Sequence, residues 1–115
     1  MLKIRRVYDP PSKADGRRVL VDRLWPRGMK KEAARVDEWM RDISPSDGLR
    51  KWFSHDPSKW KDFRIKFRKE LKSKHDLVEK LRNYSRQGTV TLLFSAKDEE
   101  HNNAVVIKEV VEGDR

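Results

Sequence analysis

The apolar positions of this chain gather in short continuous runs between polar segments, a pattern typical of buried strands. Val19, Leu20 and Val21 form the most compact run, and a continuous aliphatic block suits a strand covered on both faces. Residues 89–96 form a second run after a glycine, as a central strand does. A weaker pattern predicts a first strand over residues 2–7. These runs together predict a sheet.

Helical spacing dominates the middle of the chain. Apolar residues recur every three or four positions across residues 60–71, and basic residues fill most of the remaining positions. Asp56 and Pro57 stand just before, and these residue types favour the N-cap and the first position of a helix. A second helical run follows from Asp76, and Gly88 is placed to stop it. We predict that the aromatic stripe of the first helix packs in the core; a platform for stacking nucleic-acid bases is the alternative.

Three shorter helical segments are predicted around these two. One or two turns fall within residues 29–35, which are rich in good helix formers. Ser46 is placed to cap a short helix with Trp52 on its apolar side. A final helix over residues 104–111 is expected to be capped by Asp98.

Two local features stay ambiguous at this level. Residues 8–16 carry two prolines and a glycine and therefore form a loop. Segments 2–7 and 17–22 either pair across this loop as a hairpin or lie apart in a larger sheet. The apolar spacing of residues 36–43 fits a helix and also places two residues on one face of a strand.

Composition limits the class of protein. The chain has 115 residues, the length of a single domain, and 41% of them are charged, so a compact core and a densely ionic surface are expected. The absence of cysteine excludes disulfides, cysteine-ligated zinc, iron–sulfur clusters and thiol catalysis. No apolar run approaches the length of a membrane span, and the N-terminus lacks a signal-peptide pattern. We therefore expect a soluble cytoplasmic protein with no membrane partner.

The charge is strongly basic and unevenly distributed. The formal net charge is +9, and residues 57–74 hold 8 lysines and arginines against 2 acidic residues. Residues 98–115 reverse the sign, with 2 basic and 6 acidic residues. Basic surfaces attract anionic partners such as nucleic acid or phosphorylated metabolites, although a single cluster often serves only solubility.

Polar side chains follow both of the strongest predicted strands, and these clusters are the candidate chemistry. The first cluster consists of Asp22, Arg23 and Arg27, and the second of Ser95, Lys97, Asp98, His101, Asn102 and Asn103. Ligands of open α/β sheets bind beyond the carboxyl ends of the strands. If the two strands are parallel neighbours, both clusters line one edge of the sheet.

Each candidate residue type suits a particular role. Arg23 and Arg27 are expected to hold an anion, because a guanidinium clamps a phosphate or carboxylate with two parallel hydrogen bonds. Asp22 and His101 are the candidate catalytic residues for proton transfer. Asn102 and Asn103 would orient the substrate.

Ser95, Lys97 and His55 complete the binding set. The alternatives are structural: Asp22 and Arg23 pair with each other or with neighbours and only shape a loop, His101 caps a helix or lies on the surface, and His55 belongs to a helix entry. No spacing of His and carboxylates indicates a metal site, and no phosphate-binding glycine loop is present, so no metal or cofactor is predicted.

Three longer motifs carry a family resemblance. Residues 17–28, 52–57 and 98–104 resemble the YeaO-like family, which lies within the larger group catalogued as domain of unknown function 488. The likeness extends from about Ile4 to Val111. Relatives in the wider group carry cysteines near the position of Ser95, and this chain has none.

The resemblance implies a fold more than a reaction. It implies an α/β fold with a mainly parallel sheet, a site near the strand end at Asp22 and Arg23, and a strand over residues 36–42. We therefore expect one domain, residues 1–115, built as a three-layer sandwich of four to five strands with helices on both faces.

Three functions are consistent with these features. The first is a protein that binds an anionic small molecule at the strand ends, with hydrolase or transferase activity considered. The second is a nucleic-acid-binding module that uses the basic face of residues 59–74, whose affinity would fall steeply with salt. The third is a protein-interaction module that uses the charge asymmetry. The oligomeric state stays open.

Overall fold

A four-stranded parallel sheet organises the computed structural model, which describes residues 1–113. The strands are β1 (Leu2–Arg6), β2 (Arg17–Leu20), β3 (Glu38–Trp39) and β4 (Val90–Phe94). Their order across the sheet is β1-β4-β2-β3. The first two strands therefore do not pair with each other, because β4 lies between them. Leu20 on β2 faces Leu93 on β4 in parallel register.

Five α-helices lie around this sheet in the part of the chain that the structure describes, and they confirm the predicted α/β class. They are α1 (Lys31–Ala34), α2 (Asp47–Phe53), α3 (Trp60–Lys72), α4 (His75–Gln87) and α5 (Asn103–Gly113). No helix within residues 1–113 is both long and apolar enough to cross a membrane.

The two faces of the sheet are covered very unequally. Side chains alternate along each strand, so Val19 and Leu92 face the larger core with the long helices, whereas Leu20 and Leu93 face a smaller one. The small cluster adds Val7 and Ala34, with partly buried aromatic and aliphatic side chains from the segments around α1. The sandwich thus has a thick helical layer on one side and a thin cover on the other.

The segment predicted as a strand over residues 36–42 is a strand only in its centre. β3 is short, and a 3-10 turn at Arg41–Ile43 follows at once. Trp39 is anchored there because its indole Nε1 donates to the Asp22 carbonyl at 2.7 Å. β3 is the edge strand next to β2, and a short edge strand limits unwanted pairing with other chains.

Two helix details differ from the sequence expectations. Asp98 does not cap α5: its carboxylate accepts the backbone N–H groups of Glu100 and His101 in the preceding turn. The cap is Asn102, whose Oδ1 accepts the Val105 N–H at 3.1 Å. Asp98 and Asn102 are both of residue types that cap helices, and Asn102, which is nearer to the apolar residues of α5, occupies the N-cap.

The second difference concerns α2, where Ser46 caps the helix as predicted by accepting the Leu49 N–H. Trp52 was expected on the apolar side but keeps 38% of its surface exposed. The aromatic stripe of α3 is buried as expected, since Phe63 and Phe67 are almost fully enclosed. Those two α3 rings therefore cannot serve as a stacking platform.

A buried ion cluster closes the amino-terminal end of β2. Asp15 is 2% exposed and accepts hydrogen bonds from the guanidinium groups of Arg5 and Arg18. Its backbone carbonyl also accepts the Thr91 hydroxyl. Gly16, next in the chain, has φ of +61°, and a Cβ there would lie 2.1 Å from the Thr89 carbonyl oxygen. Only glycine fits this approach of loop to strand.

Candidate functional site

A cavity of about 570 Å³ lies beyond the carboxyl ends of β2 and β4. The charged residues on its wall are Asp22, Arg23, Arg27, Arg50 and Lys51. The uncharged residues are Tyr8, Leu24, Trp25, Pro26, Pro45, Phe53, Ser54, His55, Phe63, Ser95, Ala96, Asn102 and Asn103. One carboxylate and four cations thus share a partly aromatic hollow, which has the dimensions of a small-molecule site.

Asp22 is held in place by neutral hydrogen-bond donors. Its Oδ2 accepts the Ser95 backbone N–H at 2.9 Å and the Ser95 hydroxyl at 2.7 Å. Its Oδ1 accepts the Asn103 amide at 3.0 Å, and that amide also donates to the Val21 carbonyl. The carboxylate therefore ties the end of β2 to the end of β4 and to the start of α5. It does not pair with Arg23.

Arg23 and Arg50 share one exposed carboxylate. The Arg23 Nε donates to the Pro45 carbonyl at 3.1 Å and lies 3.7 Å from Asp47 Oδ1. The Arg50 Nη2 is 3.3 Å from the same oxygen. The Arg50 Nε is buried and has no hydrogen-bond acceptor among the described residues. Two guanidinium groups on one solvated carboxylate retain donors for a further anion.

Arg27 and Lys51 are the cations of the wall that lack an acidic partner. Neither forms an ion pair within residues 1–113. The loop that carries Arg27 is fixed because the Tyr8 hydroxyl donates to the Arg27 carbonyl at 2.8 Å. Both charges therefore stand beside the cavity without local compensation.

His55 reaches the wall through an unusual backbone. Ser54 and His55 are consecutive residues with φ of +46° and +56°, a left-handed conformation that costs roughly 1–2 kcal/mol for a non-glycine residue. The His55 ring packs at 6.3 Å between centroids against Phe53. Strained backbone of this kind is concentrated at binding and catalytic sites.

His101 and Lys97 are not among the residues that line the cavity. The His101 Nδ1 lies 2.9 Å from Asp98 Oδ2, and its ring forms a T-shaped contact with Trp60, with ring centroids 5.2 Å apart. The backbone N–H of Glu100 and the His101 ring hold the pKa of Asp98 below its ordinary value. The pair predicted for proton transfer, Asp22 and His101, is therefore at one edge of the sheet but not within one cavity.

Asn102 and Asn103 both line the cavity, yet their side-chain amides serve the protein. Asn102 caps α5 and donates to the Asp98 carbonyl, and Asn103 holds Asp22. Their role here is to fix the helix start against the strand ends. No group of three or more His, Asp or Glu side chains in residues 1–113 is arranged to hold a metal ion.

Sequence reasoning missed the contribution of α2. Arg50 and Lys51 reach the cavity because that helix packs beside the strand ends, together with Phe53. Their only sequence signal is position, since they directly precede the motif at residues 52–57. The sequence of a short helix does not show toward which surface of the protein its charged side chains will point.

Comparison with known proteins places these features in a family. The family model described as "Inactive DUF488-N3 subclade" matches residues 1–114. The uncharacterised protein YeaO of Escherichia coli is 41% identical over 106 residues, which cover 92% of this chain and 92% of that protein. An uncharacterised protein of Mycobacterium tuberculosis, Rv3073c, is 34% identical over 112 residues, covering 97% of this chain and 94% of that one. No solved structure matches the chain significantly.

Proposed function

Because this chain belongs to the DUF488-N3i family, a subclade described as inactive, we propose that its strand-end cavity binds an anionic small molecule without transforming it. The proposal keeps the anion site expected at Arg23 and Arg27 and extends it to Arg50 and Lys51. Hydrolase or transferase chemistry is the alternative against which it is tested.

The observation that carries the proposal is the charge balance of the wall. Four cations and one carboxylate surround the cavity, and that carboxylate is occupied by Ser95 and Asn103. An entering phosphate or carboxylate group would give Arg27 and Lys51 the partner that they lack. Charge-assisted hydrogen bonds in a partly enclosed site are among the stronger polar contacts, which favours anion binding here.

The arrangement of proton-transfer groups favours binding over catalysis. A general base must lie within hydrogen-bond reach of the proton that it removes. Both oxygens of Asp22 already accept hydrogen bonds from neighbouring residues, and His101 is turned toward Asp98. In this reading Asp22 is a positioning residue that holds the cavity open between β2, β4 and α5.

Calorimetric titration with inorganic pyrophosphate at low salt tests the proposal. We expect the double variant Arg27→Gln/Lys51→Gln to bind roughly tenfold more weakly or worse, since two charge-assisted contacts are removed. Lys30→Gln/Lys31→Gln is the matched control, because it removes the same charge from two exposed lysines outside the cavity. That control should lower the affinity less than the cavity variant does, because neither lysine lines the cavity and only the long-range attraction of net charge is reduced.

Two results would contradict the proposal. One is the absence of pyrophosphate binding by the unmodified protein at low salt. The other is an equal loss of affinity in the cavity variant and in the lysine control, which would assign binding to net charge alone. Cleavage of pyrophosphate during the titration, seen as released phosphate, would support the catalytic alternative instead.

A further inference from the structure

Trp52 on α2 is an exposed indole that is flanked by two lysines of the neighbouring segment. The ammonium groups of Lys59 and Lys66 each lie 5.2 Å from the centroid of its ring. The Lys59 Nζ also donates to the Trp52 backbone carbonyl at 2.9 Å. Within the described chain, Trp52 is the only tryptophan in the group of exposed large apolar side chains.

The lysines extend from this ring along the outer face of α3. Its exposed residues include Lys61, Lys66, Lys69 and Lys72, with Asp62 as an exposed acidic residue among them. The arginines of α3 belong to a different side, since Arg64 and Arg68 lie beside Glu109 of α5. The outer face is therefore positive, whereas the side toward α5 is compensated.

We propose that Trp52, Lys59 and Lys66 form a platform that binds single-stranded nucleic acid by stacking one base on the indole and pairing the lysines with adjacent phosphates. This surface is separate from the anion cavity, since none of the three residues lines that cavity. The two proposals can therefore fail independently.

The chemistry of the ring and its cations favours this occupant. Stacking of a base on an aromatic side chain is stronger than the contact of an exposed ammonium with the same ring. A base can therefore replace an ammonium over Trp52, and the displaced ammonium gains a phosphate. The ammonium groups of Lys59 and Lys66, held over the same ring, also repel each other, and a bound phosphate would reduce this repulsion.

A single strand fits this surface better than a duplex does. In a duplex the base faces are stacked within the helix and cannot reach an exposed ring. A single strand offers both an unstacked base and a flexible line of phosphates. The exposed lysines beyond Lys66 on α3 would continue the contact with the backbone of the strand.

Fluorescence anisotropy with labelled 15-nucleotide dT and U oligomers tests the platform in the full-length protein. We expect Trp52→Leu to weaken binding roughly fivefold or more, the lower end of what one stacked base contributes. Lys59→Gln/Lys66→Gln should weaken binding and make the dependence of log affinity on log salt shallower by about 1.4, since each single-strand phosphate contact contributes about 0.7.

Two matched controls accompany these variants. Ile65→Ala removes another exposed apolar side chain of α3, and Lys30→Gln/Lys31→Gln removes two exposed lysines elsewhere. Both should bind within about twofold of the unmodified protein, with less change in the salt slope. Thermal unfolding of every variant checks that the fold is retained, and Lys59→Gln/Lys66→Gln keeps the test valid if Trp52→Leu is unstable.

Four outcomes would overturn the proposal. An unchanged affinity of Trp52→Leu for the oligomers would show that no base stacks on the indole. An equal loss of affinity in Lys59→Gln/Lys66→Gln and in Lys30→Gln/Lys31→Gln would show that binding reflects only the general attraction of nucleic acid to a basic protein. Competition by polyglutamate as effective as that by unlabelled dT would make an acidic polypeptide the occupant. A duplex of equal length is expected to bind more weakly than the single strand, and equal binding would also contradict the platform.

Discussion

The two ends of β2 each hold a carboxylate, and the two are partnered in opposite ways. Asp15, next to the amino-terminal end, is buried against the guanidinium groups of Arg5 and Arg18. Asp22, beyond the carboxyl-terminal end, accepts only neutral donors from Ser95 and Asn103. Both carboxylates link separate segments of the chain, but only Asp15 does so through positively charged side chains.

This difference separates a structural site from the site that we propose for anion binding. At the amino-terminal end, the Arg18 guanidinium is buried and its donors are used by Asp15 and by the carbonyls of Ala34 and Arg35. At the carboxyl-terminal end, a structural task is carried out by neutral groups, and Arg27 and Lys51 remain unpaired among the described residues. The two wall cations without an acidic partner among the described residues thus lie beside the carboxyl ends of the strands.

The largest expected effect is on stability, from Asp15→Asn. The change leaves the almost buried Arg18 guanidinium without a counter-charge, and loss of one partner of a buried ion pair costs roughly 3–5 kcal/mol. Urea unfolding followed by circular dichroism measures this loss. A change below about 1 kcal/mol would show that the cluster is no more than a surface pair.

Asp22→Asn is expected to have a smaller effect, because neutral partners lose less when the carboxylate charge is removed. Hydrogen bonds to a charged group contribute about 1.5–3 kcal/mol, so the same urea experiment should give a loss within that range. The affinity for pyrophosphate should be retained or rise, because the only negative charge of the cavity wall is gone. A loss of affinity alongside intact folding would make Asp22 a direct ligand contact.

The smallest expected effect is the acid dependence of stability. Burial acts to raise the pKa of Asp15, but the Ser12 backbone N–H and the two arginines outweigh it and lower the pKa below 3.8. Because the folded-state pKa is depressed, this stabilisation is present above about pH 4 and is lost as the pH falls through the folded value. The free energy of unfolding should therefore decline below about pH 4 less steeply in Asp15→Asn than in the unmodified protein.

The two central strands were accessible from the sequence because a continuous apolar run is typical of a strand that is buried on both faces. Their register, in which Leu20 faces Leu93, and the position of β4 between β1 and β2 were not, since a one-residue slip of such a run only exchanges two apolar faces. Parallel pairing of the two runs then brings Asp22 and Ser95 into contact. The two predicted strands therefore indicated the edge of the sheet at which the candidate residues lie, namely the carboxyl ends of β2 and β4.

The composition of the cavity was less accessible. Arg50 and Lys51 reach it through the packing of α2, and no local pattern reveals that direction. His101 stands close in sequence to Asn103, yet the turn held by Asp98 directs it toward Trp60. The left-handed backbone at Ser54 and His55 is likewise a tertiary outcome, since residues other than glycine adopt positive φ only uncommonly.

The position of β4 has a consequence for how the chain is made. Strand β4 is synthesised after the other three described strands and lies between the first two, so Leu2 can pair with Val90 only after most of the chain has been made. Until that segment leaves the ribosome, β1 has no hydrogen-bonded partner, and only the two-residue contact of β2 with β3 can form. Such distant pairing makes assembly of the sheet a late and comparatively slow event, and release of the chain before Phe94 would leave bare strand edges open to aggregation.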